Sequence, residues 1–414
     1  MSRLFRTFLI AATLLIGTLS AGCDNTNNAA LLLAQQPDPI AWSSPGSVTS
    51  YDPAKAWQGI TLLQDQSQSR LFAIAMNGNI VDVWAPWSEE FSALSFAKPY
   101  EGGMFMMMPA VAPPMPGNFF PAREAALVNL DGTPLWEWYG APGLQIIHHE
   151  FTLLENGNAM ILVSPKPDAH FPDISPEVVQ DDLLLEIDPT TDEIVWSWST
   201  AAHYSQLPFT AMQRTLMLDQ TIKDVFHTNA FHVIPDNDID HGMYPEFTPG
   251  NILVSERQTN FVFIIDRATG DIVWNLDHDT IGNIGQHMIR MIPKGLPGAG
   301  NLLLFDNGCC AGLPVASRGT SRVLEIEPVS QAIVWSYDPG GEFYSEYRSG
   351  AQRLPNGNTL ISASQDQRIF EVTSAGEVVW DYQQTAANGH YRAYRVDSGW
   401  LSGGDTGPVT PFPW

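Results

Sequence analysis

The sequence predicts an all-β protein built from repeated four-stranded units. Several units end in two branched aliphatic residues and a tryptophan, at Ile194-Val195-Trp196, Ile272-Val273-Trp274, Ile333-Val334-Trp335 and Val378-Val379-Trp380. Each ending follows alternating apolar and polar residues with an Asp, Gly or Asn turn, which is typical of a β-hairpin. A second hairpin precedes several of them, with turns at Asn156-Gly157-Asn158, Gly250-Asn251, Gly300-Asn301 and Asn356-Gly357-Asn358. With weaker copies that lead to Trp84 and Trp136, six units predict a six-bladed β-propeller.

The two ends of the propeller are expected to join. The first unit starts near Gly59 and lacks one strand, whereas the run 390–396 (HYRAYRV) follows the last tryptophan and resembles an additional inner strand. We therefore expect the C-terminal strand to complete the N-terminal blade. The propeller is assigned to residues 51–405, followed by a C-terminal tail at 406–414.

The first 22 residues have the pattern of an export signal, with Arg3 and Arg6 before an apolar run that is short for a membrane span. Ala21-Gly22-Cys23 resembles a lipoprotein cleavage site and predicts lipidation of Cys23, although Ser20 also leaves open a plain cleaved or retained anchor. Residues 23–50 suit a flexible tether. The expected location is extracytoplasmic and periplasmic, with membrane contact only through the lipid anchor.

The formal charge of −25 argues against nucleic acid and anionic lipid surfaces as partners. An anionic substrate would therefore need a local cluster of basic side chains. Besides Cys23, the chain has only the adjacent Cys309 and Cys310, for which a vicinal disulfide is favoured over two buried thiols. There is no phosphate-binding loop, G-x-S-x-G motif or dinucleotide fingerprint, and no cofactor is predicted.

Polar residues recur at one end of the predicted inner strands. When the strands are aligned on the residue before the turn, His149, His287 and Ser349 match, and Asn229 takes that place in the fourth unit with His227 two residues earlier. Tyr391 has the equivalent position in the C-terminal strand, and Arg257 and Asn307 match at the end of the returning strands. Strict alternation directs His148 to the opposite face from His149. The other side chains are expected to converge at one mouth of the central channel.

Two further segments bear on this site. The run Met104–Met108 favours an apolar inner strand or pocket wall over a copper site, and residues 200–226 form a helix-like insertion that would suit a lid. Histidines alone leave a metal site open as an alternative, but an arginine beside them favours a tetrahedral anion. A propeller that binds a ligand or protein without catalysis is the other alternative.

Several motifs, in order along residues 145–396, resemble the bacterial arylsulfate sulfotransferases that do not use a nucleotide donor. They are His148-His149-Glu150, Phe226-His227-Thr228-Asn229, Ser255-Glu256-Arg257, Gly285-Gln286-His287, Phe305-Asp306-Asn307-Gly308 and Tyr391-Arg392-Ala393-Tyr394. The resemblance implies a six-bladed propeller that moves a sulfuryl group from a phenolic sulfate ester to a phenol in two half-reactions.

The same resemblance implies a role for each site residue. His287 would be the nucleophile that becomes sulfohistidine, His227 and Arg257 would hold the sulfuryl oxygens, and His149 would complete the clamp or act as acid or base. Substrate contacts are expected from Thr228, Asn229, Asn307 and Tyr391.

Overall fold

The computed structural model describes residues 44–402, except 89–90, 92, 111–123, 141–144, 167, 220–222 and 386–388. The predicted signal peptide, Cys23 and nearly all of the predicted tether lie outside the described residues, as do residues 403–414, which contain the predicted tail. Within the described part of the chain, no helix is long and apolar enough to cross a membrane.

The described part of the chain contains twenty-seven short strands. The first fourteen are β1 (Gly46–Tyr51), β2 (Ile60–Asp65), β3 (Arg70–Ala75), β4 (Ile80–Trp84), β5 (Ala93–Pro99), β6 (Phe105–Ala110), β7 (Ala125–Val128), β8 (Pro134–Trp138), β9 (Gln145–Leu153), β10 (Ala159–Pro165), β11 (Ala169–His170), β12 (Val178–Val179), β13 (Leu183–Asp188) and β14 (Glu193–Ser199). The others are β15 (Thr228–Val233), β16 (Ile252–Glu256), β17 (Val262–Ile265), β18 (Ile272–Leu276), β19 (His287–Met291), β20 (Leu302–Asp306), β21 (Arg322–Glu327), β22 (Ala332–Tyr337), β23 (Gly350–Arg353), β24 (Thr359–Ala363), β25 (Arg368–Val372), β26 (Val378–Gln384) and β27 (His390–Val396).

The helices are few and short. They are α1 (Thr200–His203), α2 (Ala211–Asp219) and α3 (His278–Ile281), with 3-10 turns at Glu101–Gly103, Tyr204–Gln206, Pro245–Phe247 and Ser398–Ser402.

The strands assemble into the six antiparallel blades that the repeats predict. Their orders, from the inner strand outward, are β27-β2-β3-β4, β5-β6-β7-β8, β9-β10-β13-β14, β15-β16-β17-β18, β19-β20-β21-β22 and β23-β24-β25-β26. A small two-stranded sheet, β11-β12, lies within the third unit. The predicted Asn-Gly turns connect the first and second strands of their blades.

The first and the last of the described strands both join blades where the ring closes. The C-terminal strand β27 pairs with β2, with Val396 opposite Ile60, and so completes the N-terminal blade as predicted. In addition, β1 pairs with β26 as a fifth, outermost strand of the last blade. The boundary expected at residue 51 is therefore wrong, because Gly46–Tyr51 is tied to the propeller by a strand ladder and is not part of a tether.

The tryptophans of the outer strands link each blade to the next. In every blade an indole Nε1–H donates to the outer hairpin turn of the following blade. The acceptors are Leu130 for Trp84, Asp192 for Trp136, Gly270 for Trp198, Pro328 for Trp274, Ser374 for Trp335 and Met76 for Trp380. In the third blade the donor is Trp198 and not the Trp196 of the repeat. These six hydrogen bonds join each blade to the next around the whole ring, which gives the repeated tryptophan a structural role.

The core lies between neighbouring blades, and the methionine run shows how it is filled. Phe105 and Met107 pack toward the first blade, whereas Met106 and Met108 pack toward the third. This division follows from the alternation of side chains along β6. The run is thus an apolar strand as expected, but it is the second strand of its blade and not the inner one.

The insertion between the third and fourth blades is helical, as its pattern indicated. It contains α1 and α2, and its apolar side chains Leu207, Phe209 and Met217 pack into the core between these two blades. It ends just before β15, so it places Asp224 next to the functional site described below.

Candidate active site

The inner strands of three adjacent blades are kinked where the predicted site residues lie. His149, His227 and Met288 have positive φ values of 58°, 53° and 47°, and the ladders of β9, β15 and β19 shift register beside them. Such bulges redirect side chains that a regular strand would hold perpendicular to the sheet. Here they turn imidazole groups toward the mouth of the central channel.

These kinks gather what we term the histidine cluster, defined as His149, His227, His287 and Arg257. The ring centroids of His149 and His227 are 5.0 Å apart. Arg257 follows β16, and its backbone N–H donates to the carbonyl of His227 at 3.0 Å. The charge of Arg257 acts on both His227 and His287, and the charge of His227 acts on both His149 and His287. The structure therefore brings the four predicted catalytic residues together.

The tautomer of His287 follows from its hydrogen bonds. Its Nδ1 lies 2.7 Å from Asn307 Oδ1 and 3.1 Å from the carbonyl of Gly285. Asn307 Nδ2 donates to the carbonyls of Ser345 and Arg348, so the amide oxygen must face the imidazole. Since both partners of Nδ1 are acceptors, Nδ1 carries the proton and Nε2 carries the lone pair. Burial, reinforced by the charge of Arg257, holds the pKa of His287 well below its usual value and keeps the ring neutral.

His227 has the opposite electrostatic character. Its Nδ1 lies 2.5 Å from a carboxylate oxygen of Asp224. Burial would lower the pKa of His227, but the charge and hydrogen bond of Asp224 outweigh it and raise the pKa. Among the described residues, the half-buried guanidinium of Arg257 forms no salt bridge. The cluster thus combines one neutral imidazole, one imidazole that favours the charged form, and a fixed cation.

His149 is backed by a chain of polar contacts. Its Nδ1 lies 2.8 Å from Nδ1 of His148, whose Nε2 lies 2.8 Å from Ser164 Oγ and 3.3 Å from Asp182 Oδ1. Asp182 also accepts the backbone N–H of Thr228 at 2.7 Å. The expectation that His148 is turned away from His149 is wrong, because the positive φ at His149 breaks the alternation. Burial, together with the neighbouring His148 and His227, lowers the pKa of His149.

Beneath the histidine cluster lies a buried ionic group that we term the channel cluster, formed by Glu150, Lys98, Arg290 and Arg392. Glu150 contacts Lys98 at 2.9 Å, Arg290 at 2.6 Å and Arg392 at 2.5 Å, and all four side chains are nearly fully buried. Burial would raise the pKa of Glu150, but the three cations hold it well below its usual range. Burial lowers the pKa of Lys98 to about 8. Three cations share one carboxylate, so the channel carries excess positive charge in a strongly acidic protein.

Comparison with known proteins identifies the family. The model of the arylsulfotransferase (ASST) family matches residues 141–385, which is more than half of the chain. The chain belongs to the arylsulfotransferase family. The match covers the last four blades, which contribute all four residues of the histidine cluster.

Structural comparisons give more distant likenesses. A protein of unknown function from Bacteroides caccae is 14% identical, with a TM-score of 0.51 over 82% of this chain and 99% of that chain. This likeness concerns the fold alone. Virginiamycin B lyase from Staphylococcus aureus is 12% identical, with a TM-score of 0.43 over 83% of this chain and 86% of that chain. A comparison with curated proteins finds no match.

The residues expected to contact substrate lie around the histidine cluster. Asn229 is fully buried and donates to the carbonyl of Gln286 at 2.7 Å, and Asn307 is fully buried against His287. Both side chains therefore position the site. Tyr391 lies 6.2 Å from His149 between ring centroids, and burial raises its pKa to about 12. The hydroxyl of Thr228 is buried without a hydrogen-bond partner among the described residues.

The disulfide and a close backbone contact stiffen the loop next to His287. Cys309 and Cys310 are bonded to each other, as the sequence favoured. Gly285 has φ 62°, and a Cβ at this position would lie 2.4 Å from the carbonyl oxygen of Cys309. Only glycine fits there, two residues before the predicted nucleophile.

A metal site was the remaining alternative for this mouth. The described residues contain no group of three or more His, Cys, Asp and Glu side chains arranged to hold a metal ion. The arginine and the excess positive charge below the site match an anionic ligand better than a cation.

Proposed function

We propose that this protein is an aryl sulfotransferase that carries the sulfuryl group on Nε2 of His287. The observation that carries the proposal is the paired contact of His287 Nδ1 with Asn307 Oδ1 and the carbonyl of Gly285. It leaves a lone pair on Nε2 of a neutral imidazole beside Arg257. Membership of the arylsulfotransferase family supports the same class of reaction.

In the first half-reaction, the lone pair of His287 Nε2 forms a bond to the sulfur of an aryl sulfate. The bond between sulfur and the aryl oxygen breaks, and its electron pair leaves on that oxygen. Arg257 and His227 neutralise charge on the sulfuryl oxygens, where preorganised donors help most. The imidazolium of His227, sustained by Asp224, donates its proton to the departing phenolate.

In the second half-reaction, neutral His227 accepts the proton of a phenol. The phenol oxygen attacks the sulfur, the N–S bond breaks, and the electron pair returns to His287 Nε2. Both residues then regain their starting protonation states, so no cofactor is required. His149, supported by His148 and Asp182, supplies a further hydrogen bond to the bound sulfuryl group or acceptor.

The surrounding charges explain how an acidic protein can hold an anionic substrate. The channel cluster supplies excess positive charge, and Arg392 lies close enough to lower the pKa of both His149 and His287. A location outside the cytoplasm is consistent with the proposal, because a disulfide such as Cys309–Cys310 persists in an oxidising compartment.

The proposal is tested with a chromogenic aryl sulfate, with and without a second phenol. Release of the chromogenic phenol should be stimulated by the acceptor and should be lost in His287→Ala. Arg257→Lys serves as a comparison, because it keeps the charge but not the planar pair of donors, and it should retain partial activity. Binding of aryl sulfates without turnover, across several donors, would instead indicate a non-catalytic propeller.

A further inference from the structure

A cavity lies between the third and fourth blades, on the face opposite the histidine cluster. We term it the distal cavity, and its volume is about 360 Å³. It is formed where the inner strands of the third and fourth blades end, around Thr152–Asn156 and Phe231–Pro235. His227 precedes, and Ile234 follows, the same inner strand β15. At roughly 3.3 Å per residue, Ile234 lies on the order of 20 Å from His227, and Thr152, at the near edge of the cavity, lies about 10 Å from His149.

The distal cavity has a basic lining. Lys98, Arg290 and Arg267 contribute to its wall, and Glu155 is the one carboxylate among the lining residues described. Arg267 is itself paired with Glu186, so the cations that remain for a ligand are Lys98 and Arg290. Lys98 and Arg290 are nearly fully buried and belong to the channel cluster, in which Glu150 also binds Arg392. Glu150 alone therefore does not balance the charge of these cations. The excess positive charge of the channel cluster therefore acts on the distal cavity as well as on the histidine cluster.

A neutral donor adds to the cations. The backbone N–H of Met291 donates to His232 Nδ1 at 3.1 Å, so the proton of neutral His232 resides on Nε2. No contact to Nε2 is present among the described residues, and the side chain lines the cavity. The remaining wall is largely apolar, with Leu154, Val233 and Ile234. The lining thus joins convergent donors for an anion to a surface suited to a hydrocarbon body.

We propose that the distal cavity is a second binding site, which takes a small aromatic anion such as an aryl sulfonate, sulfate or carboxylate. The anionic group contacts Lys98, Arg290 and His232, and the ring packs on the apolar wall. The volume is at the lower end of the range for ligand pockets and suits a single substituted ring. This site is separate from the proposed chemistry, because the channel cluster lies between the two ends.

The test uses 4-bromobenzenesulfonate, whose C–S bond prevents sulfuryl transfer. Crystals soaked in the probe are measured at the bromine edge, and binding is followed by calorimetry. We expect a bromine peak in the distal cavity, whatever occurs at the histidine cluster. The neutral analogue 4-bromobenzenesulfonamide should give no peak there, since it lacks the charge that the cations recognise. A distal peak with no activity would contradict only the proposed function.

Two cavity-filling variants and one control complete the design. Thr152→Phe and Val233→Phe each place an aromatic ring in the cavity, one from the third blade and one from the fourth. Because the two sites are independent, damage to the fold at one does not affect the other variant, and near-ultraviolet circular dichroism shows which variants fold. Either should remove the distal peak and weaken distal binding by at least about tenfold. Val195→Phe, on the exposed outer strand of the third blade, should change neither. The inference is wrong if the soaked wild type shows no distal peak, or if the folded filling variants still bind there.

Discussion

Asn307 Oδ1 lies 2.7 Å from His287 Nδ1, while the Asn307 amide nitrogen donates to the carbonyls of Ser345 and Arg348. This relationship sets the tautomer of the proposed nucleophile from the end of β20, in the same blade as His287. Asn307 was expected to touch substrate, whereas the structure gives it a positioning role.

Asn307→Leu removes the nearer of the two acceptors for Nδ1–H, so only the Gly285 carbonyl at 3.1 Å still opposes movement of the proton to Nε2. The donor half-reaction should slow on the order of 10²-fold, because the lone pair is then lost from the reacting nitrogen. Asn307→Asp keeps the acceptor but adds negative charge, which raises the pKa of His287. Its activity should therefore be lost at a higher pH than in the wild type as the solution is acidified. Stopped-flow release of phenol across pH measures both effects, and unchanged rates in Asn307→Leu would exclude the positioning role.

Asp224 is predicted to set the pH at which the reaction rate falls on the alkaline side of the pH–rate profile. It raises the pKa of His227 above the usual value, so the imidazolium persists into neutral solution and is lost as pH rises. In Asp224→Asn, burial is no longer opposed, and the pKa of His227 should fall. The alkaline limb of the pH–rate profile should then move to lower pH, with a smaller rate at neutral pH. Asp224→Glu, which retains a carboxylate, should leave the limb nearer its wild-type position.

Two buried glutamates should respond differently to the same substitution. Glu150 is ionised and binds three cations, so Glu150→Gln should destabilise the fold by about 3–5 kcal/mol. Burial raises the pKa of Glu256 to about 8, so this side chain is protonated at neutral pH. Glu256→Gln replaces one neutral group by another and should cost no more than about 1 kcal/mol. Chemical denaturation at neutral pH compares them, and equal losses would contradict the assigned charge states.

The fold could be predicted because its signals are local and repeated. The Asn-Gly turns and the apolar pairs before tryptophan each describe one hairpin, and their number gives the blades. By contrast, β1 has a short, weakly patterned sequence, and its partner β26 is more than 300 residues away along the chain. Pairing over that distance leaves no mark in the local pattern, so its residues were assigned to a tether.

The histidine cluster could be predicted in part for the same reason. Equivalent positions in repeated strands share a place in space, which located His149, His227, His287 and Arg257. Asp224 and Asp182 were missed because they lie outside the aligned inner strands. His148 was misplaced because the alternation rule does not include a bulge. Lys98 lies in a blade whose repeat is weak, and no spacing rule connects it with Glu150.

The most direct test of the central claim is the mass of the protein after brief exposure to an aryl sulfate without acceptor. The account predicts a gain equal to one sulfuryl group, located on the peptide that contains His287, labile in acid, and removed when a phenol is added. His287→Ala should show no gain, whereas His203→Ala, on the surface helix α1, should gain the group like the wild type. An adduct on another residue, or turnover in His287→Ala, would contradict the account.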